Sequence, residues 1–197
     1  MRVTLFDYGA GNIHSLAKAL ATTPDVDVRV QEDPARALDT DLLVLPGVGA
    51  FGAAAARLAP GREAMRRALD RGLPCLGICL GMQLLFDASD EGEGQGLGVF
   101  RGRVTRLRSR RVPHIGWNSV QEDTAVRGAP LGSVYYAHSF ACRAEEPDAI
   151  VGWTTHEEDR FPATVRRGQV LGVQFHPEKS SAAGVRFVRA FLEEVRP

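Results

Sequence analysis

Cys79 sits in the run Gly77-Ile78-Cys79-Leu80-Gly81, with an apolar stretch before it and helical spacing after it. Glycines two residues to either side of a nucleophile suit a sharp strand-to-helix turn, the nucleophile-elbow arrangement with sulfur in place of oxygen. A thiol at such a turn meets the positive end of the helix dipole, which favours the thiolate. The Leu80 amide points where negative charge would gather on an attacked carbonyl. Acyl transfer through sulfur is the chemistry on offer. A buried structural cysteine in a glycine-rich turn fits the same five residues equally well, so the motif needs a base.

Five histidines are available: His14, His114, His138, His156 and His176. His156-Glu157-Glu158 lies in the polar run 154–160 and reads as a solvated turn. His176-Pro177-Glu178 instead follows the apolar run 170–175, at a strand C-terminus where α/β active sites gather. In extended chain, residues i and i+2 share a face, so Glu178 can hold the His176 ring while the imidazole meets Cys79. A third segment, Pro46-Gly47-Val48-Gly49-Ala50-Phe51-Gly52, matches the spacing of a dinucleotide fingerprint. It follows the third strand, however, and no strand presents the acidic residue that a ribose would need. The better reading is a loop whose backbone N–H groups reach an oxyanion beside Cys79. Cys75 and Cys142 read as core.

The elements that must position these groups alternate in the first ninety residues: strand 2–7, helix 13–21, strand 26–31, a short helix opened by Asp33-Pro34, strand 41–45, helices within 52–72, strand 73–78 and helix 80–87. This is the pattern of βαβ units and a parallel sheet. Every second residue from Gly92 to Gly98 is glycine, which reads as a mobile surface loop. Short strands follow at 97–100, 104–108, 117–121, 134–140, 149–155, 161–166 and 170–175, an antiparallel or mixed half. An amphipathic helix closes the chain over 180–195, with Val185, Val188, Phe191 and Leu192 at helical spacing. The expectation is a single α/β domain over 1–197, an open, mostly parallel sheet flanked by helices with an additional mixed strand region.

Composition narrows the partners. At 197 residues the chain can bury roughly 70% of the surface its unfolded form exposes. Lys plus Arg and Asp plus Glu each number 24, so no global field draws nucleic acid or an anionic membrane. The run Arg101, Arg103, Arg106, Arg108, Arg110, Arg111 is read as a solvated strand face. The longest uncharged stretch, 72–86, falls short of the roughly 20 apolar residues of a membrane span. No secretory pattern opens the chain, so a cytoplasmic location is expected. Three cysteines fit reduced thiols better than a disulfide framework, and their spacing offers no zinc cage.

Pro46-Gly47-Val48-Gly49, Gly77-Ile78-Cys79-Leu80-Gly81-Met82-Gln83 and Gln174-Phe175-His176-Pro177-Glu178 together resemble the three blocks of the class I (triad-type) glutamine amidotransferases, in that order. Asp7-Tyr8-Gly9-Ala10-Gly11-Asn12, Pro113-His114-Ile115-Gly116-Trp117-Asn118 and His138-Ser139 are similar to the branch formed by the glutaminase subunits of imidazole glycerol phosphate synthase. The resemblance implies Cys79 as nucleophile, His176 as base and then acid, and Glu178 as the group orienting His176. It also implies an oxyanion hole from Leu80 and Gly47-Val48, and glutamine held by Gly47, Gln83, Glu91 and Ser139. The family more usually has Tyr after the His-Ser pair; here it is Phe140, so that hydroxyl is missing.

By the same resemblance the substrate is L-glutamine and no cofactor or metal is required. Ammonia passes to a separate cyclase subunit, a (β/α)₈ barrel, for histidine biosynthesis. Asn12 and Trp117 are expected at or near the interface with that subunit. Because Gly47-Val48 can hold its peptide in either of two orientations, one of which aims a carbonyl at the site, the oxyanion hole is expected to be completed by the partner. A glutaminase subunit of another pathway and a catalytically silent glutamine-binding module are the alternatives.

Overall fold

The computed structural model describes residues 1–9, 13–121 and 123–197, apart from the side chain of His14. Five strands run parallel: β1 (Arg2–Phe6), β2 (Asp27–Gln31), β3 (Leu42–Leu45), β4 (Cys75–Ile78) and β12 (Val170–Val173). With the antiparallel β10 (Ile150–His156) and β11 (Asp159–Arg167) they form a seven-stranded sheet in the order β10-β11-β12-β4-β3-β1-β2. Beside it lie a three-stranded sheet, β5 (Ala88–Ser89), β6 (Gly102–Arg106) and β9 (Phe140–Ala144), and a hairpin of β7 (His114–Ser119) and β8 (Ser133–His138).

Helices α1 (Ile13–Ala21) and α5 (Ser181–Glu194) cover one face of the large sheet; α2 (Phe51–Leu58), α3 (Arg62–Asp70) and α4 (Leu80–Leu84) cover the other. The central strands serve both. Alternate residues such as Val3, Leu5, Leu42, Val44, Leu76 and Ile78 enter the core under α1 and α5. Their neighbours Phe6, Leu43, Leu45 and Cys75 enter the core under α2 to α4. This two-sided burial is why these strands read as unbroken apolar runs.

Three readings of the sequence need correction. The run 97–100 is no strand: the N–H groups of Leu97, Gly98 and Phe100 bond to the carbonyls of Leu84, Phe86 and Leu85 at the end of α4. Helix termini leave carbonyls without intrahelical partners, and this segment satisfies them. The glycine run before it is accordingly tied down at its end. A Cβ on Gly96 would fall 2.0 Å from the Phe86 carbonyl oxygen. Next, the apolar run 134–140 is two strands, β8 and β9, parted at Ser139, whose carbonyl accepts the Leu107 N–H. Finally, Asp33-Pro34 opens only a 3₁₀ turn, Arg36–Leu38, rather than an α-helix.

Candidate active site

The neighbouring parallel strands β3, β4 and β12 end at one edge of the sheet, and the three sequence blocks leave from those ends. Register sets what meets what. Leu45 pairs with Gly77 and Val173 with Ile78, so the next residues along, Pro46, Cys79 and Gln174, come out close together. Cys79 takes a left-handed backbone, φ 47°, ψ −101°, held by its N–H bond to the Val173 carbonyl at 2.7 Å. Such a conformation costs a non-glycine residue about 1–3 kcal/mol and persists only where surrounding structure enforces it. The flanking glycines allow the turn to close. A Cβ on Gly77 would stand 2.8 Å from the Gly81 carbonyl, and one on Gly81 would stand 2.0 Å from the Leu45 carbonyl oxygen.

His176 is 1% exposed and its Nδ1 lies 2.8 Å from Glu178 Oε1. Its main chain is fixed too: the N–H bonds to the Tyr135 carbonyl, and the carbonyl accepts the Ser180 hydroxyl. With Nδ1 engaged by Glu178, Nε2 is the nitrogen left for Cys79. Burial pushes the imidazole down, but the hydrogen bonds to Cys79 and Glu178 outweigh it and raise it to about 10. The ring therefore carries its proton at neutral pH beside the sulfur.

Cys79 and His176 open on a cavity of about 370 Å³, and Gly47, Val48, Leu80, Gln83, Glu91 and Ser139 also line it. The residues predicted as nucleophile, base, oxyanion donors and glutamine holders meet there, with Glu178 behind the His176 ring rather than on the lining. Asn12 falls outside the described residues. Trp117 lies apart on β7, 53% exposed, beside Ile115 at 63% and edge-on to Tyr135 of β8. The Gln83 amide donates to the Phe140 carbonyl at 3.0 Å, and Glu91 accepts the Phe51 N–H at the start of α2. Both are thus oriented by backbone. Gly47 is needed for close approach, since a Cβ there would lie 2.9 Å from the Ile78 carbonyl oxygen and 3.1 Å from Cys79 Cβ. Gly49 adopts φ 121°, a region only glycine enters freely.

A second wall of the cavity was not read from the sequence. The Phe140 carbonyl accepts from Gln83 and from His138 Nδ1 at 2.9 Å. That bond makes His138 Nε2 an acceptor, and His114 Nδ1 donates to it at 3.1 Å. Asn118 then donates to His114 Nε2. Burial pushes both rings down, His138 to about 3 and His114 to about 4, so both are neutral. His156, expected as a solvated residue, stacks on His114 at 4.0 Å and bonds to the Arg111 carbonyl. Gln174 was missed as well, although it shares a face with His176 by the same two-residue period that links His176 to Glu178.

The family model for glutamine amidotransferase class-I matches residues 4–195, and the chain belongs to that family. Within it, the relatives it resembles are imidazole glycerol phosphate synthase HisH subunits, and the chain belongs with them. It is 42% identical to the HisH subunit of Pyrococcus furiosus, over 96% of this chain and 97% of that one. With the HisH subunit of Pyrobaculum aerophilum it shares 43% identity over 98% and 97%. A chain in the structure of PurLQS from Thermotoga maritima superposes with a TM-score of 0.71, at 21% identity and 99% coverage of both chains, a likeness of fold.

Proposed function

We propose that this chain hydrolyses the side-chain amide of L-glutamine to glutamate and ammonia, and that Cys79, His176 and Glu178 are the residues that do so. The observation that carries the reading is the Cys79 sulfur beside His176, with Glu178 behind the ring, at the edge of a cavity sized for a small molecule. The thiolate attacks the amide carbon and a C–S bond forms. His176 gives its proton to the amide nitrogen, the C–N bond breaks and ammonia departs. Water then adds to the thioester as His176 takes its proton, and the C–S bond breaks to return the thiolate.

During both steps the carbonyl oxygen becomes an oxyanion. The Leu80 amide, in the first turn of α4 and without an intrahelical acceptor, supplies one donor; the Gly47-Val48 peptide supplies the other. Gln83, Glu91, Ser139 and Gly47 hold the glutamine. No step calls on a metal or cofactor.

The ammonia goes to a cyclase subunit, which the resemblance describes as a (β/α)₈ barrel, bound at the face that carries Trp117 and Ile115; Asn12 belongs to the same interface. Two large apolar side chains exposed side by side on one hairpin support this. We further propose that 1–197 act as one domain in the cytoplasm. Among the described residues no helix is long and apolar enough to cross a membrane. Glutamate release measured with and without the cyclase subunit and its ligand is the test. Turnover that needs the partner supports the reading, and glutaminase activity absent under both conditions overturns it.

A further inference from the structure

The amide of Gln174 ends at the nucleophile. Register brings Gln174 beside Cys79, its own N–H is bonded to the Ala163 carbonyl at 2.8 Å, and the side chain is fully buried. Its Nε2 lies 3.6 Å from Cys79 Sγ, within hydrogen-bond range for sulfur, while its Oε1 has no partner among the described residues. A buried carbonyl left unpaired carries a desolvation cost that a methionine or leucine of similar volume would avoid. Filling space is therefore a poor account of this residue. What the amide adds at this position is an N–H aimed at sulfur.

We propose that Gln174 is a further catalytic residue, a permanent neutral donor that holds Cys79 in its thiolate form. The inference rests on Cys79 being the nucleophile. A thiolate accepts hydrogen bonds far better than a thiol, because the bond is charge-assisted. Rotating the amide would set Oε1 against the sulfur, and no partner on Oε1 favours either orientation, so the orientation seen is the one that a negative sulfur would select. His176 cannot do this alone. It loses its proton to departing ammonia and regains one from water, so for part of the cycle it is no cation. The amide of Gln174 transfers nothing and stays in place throughout. When water has added to the thioester and His176 has taken its proton, the C–S electron pair returns to a sulfur that already faces an N–H.

Alkylation by iodoacetamide, in which the thiolate displaces iodide, tests this on the chain itself, with the labelled cysteine located by peptide mass spectrometry. In Gln174→Met the acidic limb of the rate profile at Cys79 should move to higher pH, with the rate at pH 7 lower by about tenfold. The melting temperature should equal or exceed that of the parent, because an unpaired carbonyl has been removed. In the complex, kcat for glutamine should fall while KM changes less than twofold. Gln174→Leu repeats the measurement in a second apolar background in case methionine packs badly. A parental pH profile in either folded variant overturns the role of Gln174. Preferential labelling of Cys75 or Cys142 in the parent would instead overturn the assignment of the nucleophile.

Discussion

Glu178 Oε1 and His176 Nδ1 are 2.8 Å apart with only Pro177 between them in sequence, and both side chains are nearly shut off from water. The ring is locked in one orientation by a neighbour on its own strand-end rather than by a distant loop. Together with the hydrogen bond to Cys79, the same contact gives the ring its dependence on pH.

Glu178→Gln keeps the shape and removes the charge. His176 is raised above its unfolded value of about 6.5, so the pair's stabilisation is complete below that pH and is lost as pH rises through about 10. Thermal unfolding should show the variant less stable by about 2 kcal/mol at pH 6, with the gap closing toward pH 10. A gap that widened with pH would refute the protonated ring.

Cys79→Ala should abolish glutamine-dependent product formation and leave ammonium-dependent formation by the complex intact, because the cyclisation takes place on the partner. Assays with each nitrogen source separate the two. Cys75→Ala, which alters a fully buried side chain well inside the core, should act through stability alone.

Trp117 is half exposed, so its truncation should leave unfolding within about 0.5 kcal/mol of the parent. Binding to the cyclase subunit should weaken by at least about 2 kcal/mol, as for an aromatic anchor. Calorimetric unfolding beside a binding titration reads both. A large stability loss with unchanged binding would contradict the interface assignment.

Gly47→Ala drives a Cβ onto the Ile78 carbonyl oxygen and the Cys79 Cβ and should depress turnover with and without the partner. Gly49→Ala strains a left-handed backbone and is a second probe of the loop. It should reduce partner-stimulated turnover more than basal turnover, measured as glutamate release in the two states. Equal loss would leave Gly47-Val48 as a static part of the site.

The histidines behind the cavity carry the opposite sign to His176. His138 and His114 are lowered in the folded chain, so their contribution is present above pH 6.5 and is lost as pH falls toward 4. His138→Gln should take up about one proton fewer on unfolding between those limits, flattening the stability profile by about 1.4 kcal/mol per pH unit.

The turn at Cys79 and the contact of His176 with Glu178 were legible because they depend on local features: glycine spacing, a strand-end and a two-residue period. The parallel strands β1, β3, β4 and β12 were legible for a similar reason, since burial on both faces leaves an apolar run in the sequence, whereas the exposed edge strand β2 shows only alternating valines. What lay hidden was set by partners far along the chain. Nothing in 134–140 announces that Ser139 divides two sheets, because the division depends on Leu107 and on His138 reaching the Phe140 carbonyl. The segment 97–100 is as apolar as a strand, yet its hydrogen bonds go to the end of a helix. The His114–His138 contact likewise needs the pairing of β7 with β8, which no single run reveals.

Because Cys79 and His176 hang from the ends of two adjoining strands, β4 and β12, near the middle of one sheet, neither can wander while the ladder between those strands holds. Heating should leave no long-lived form that is folded but inert. Loss of activity and loss of the fold should coincide, and a chain that is damaged in its centre falls silent instead of leaking ammonia.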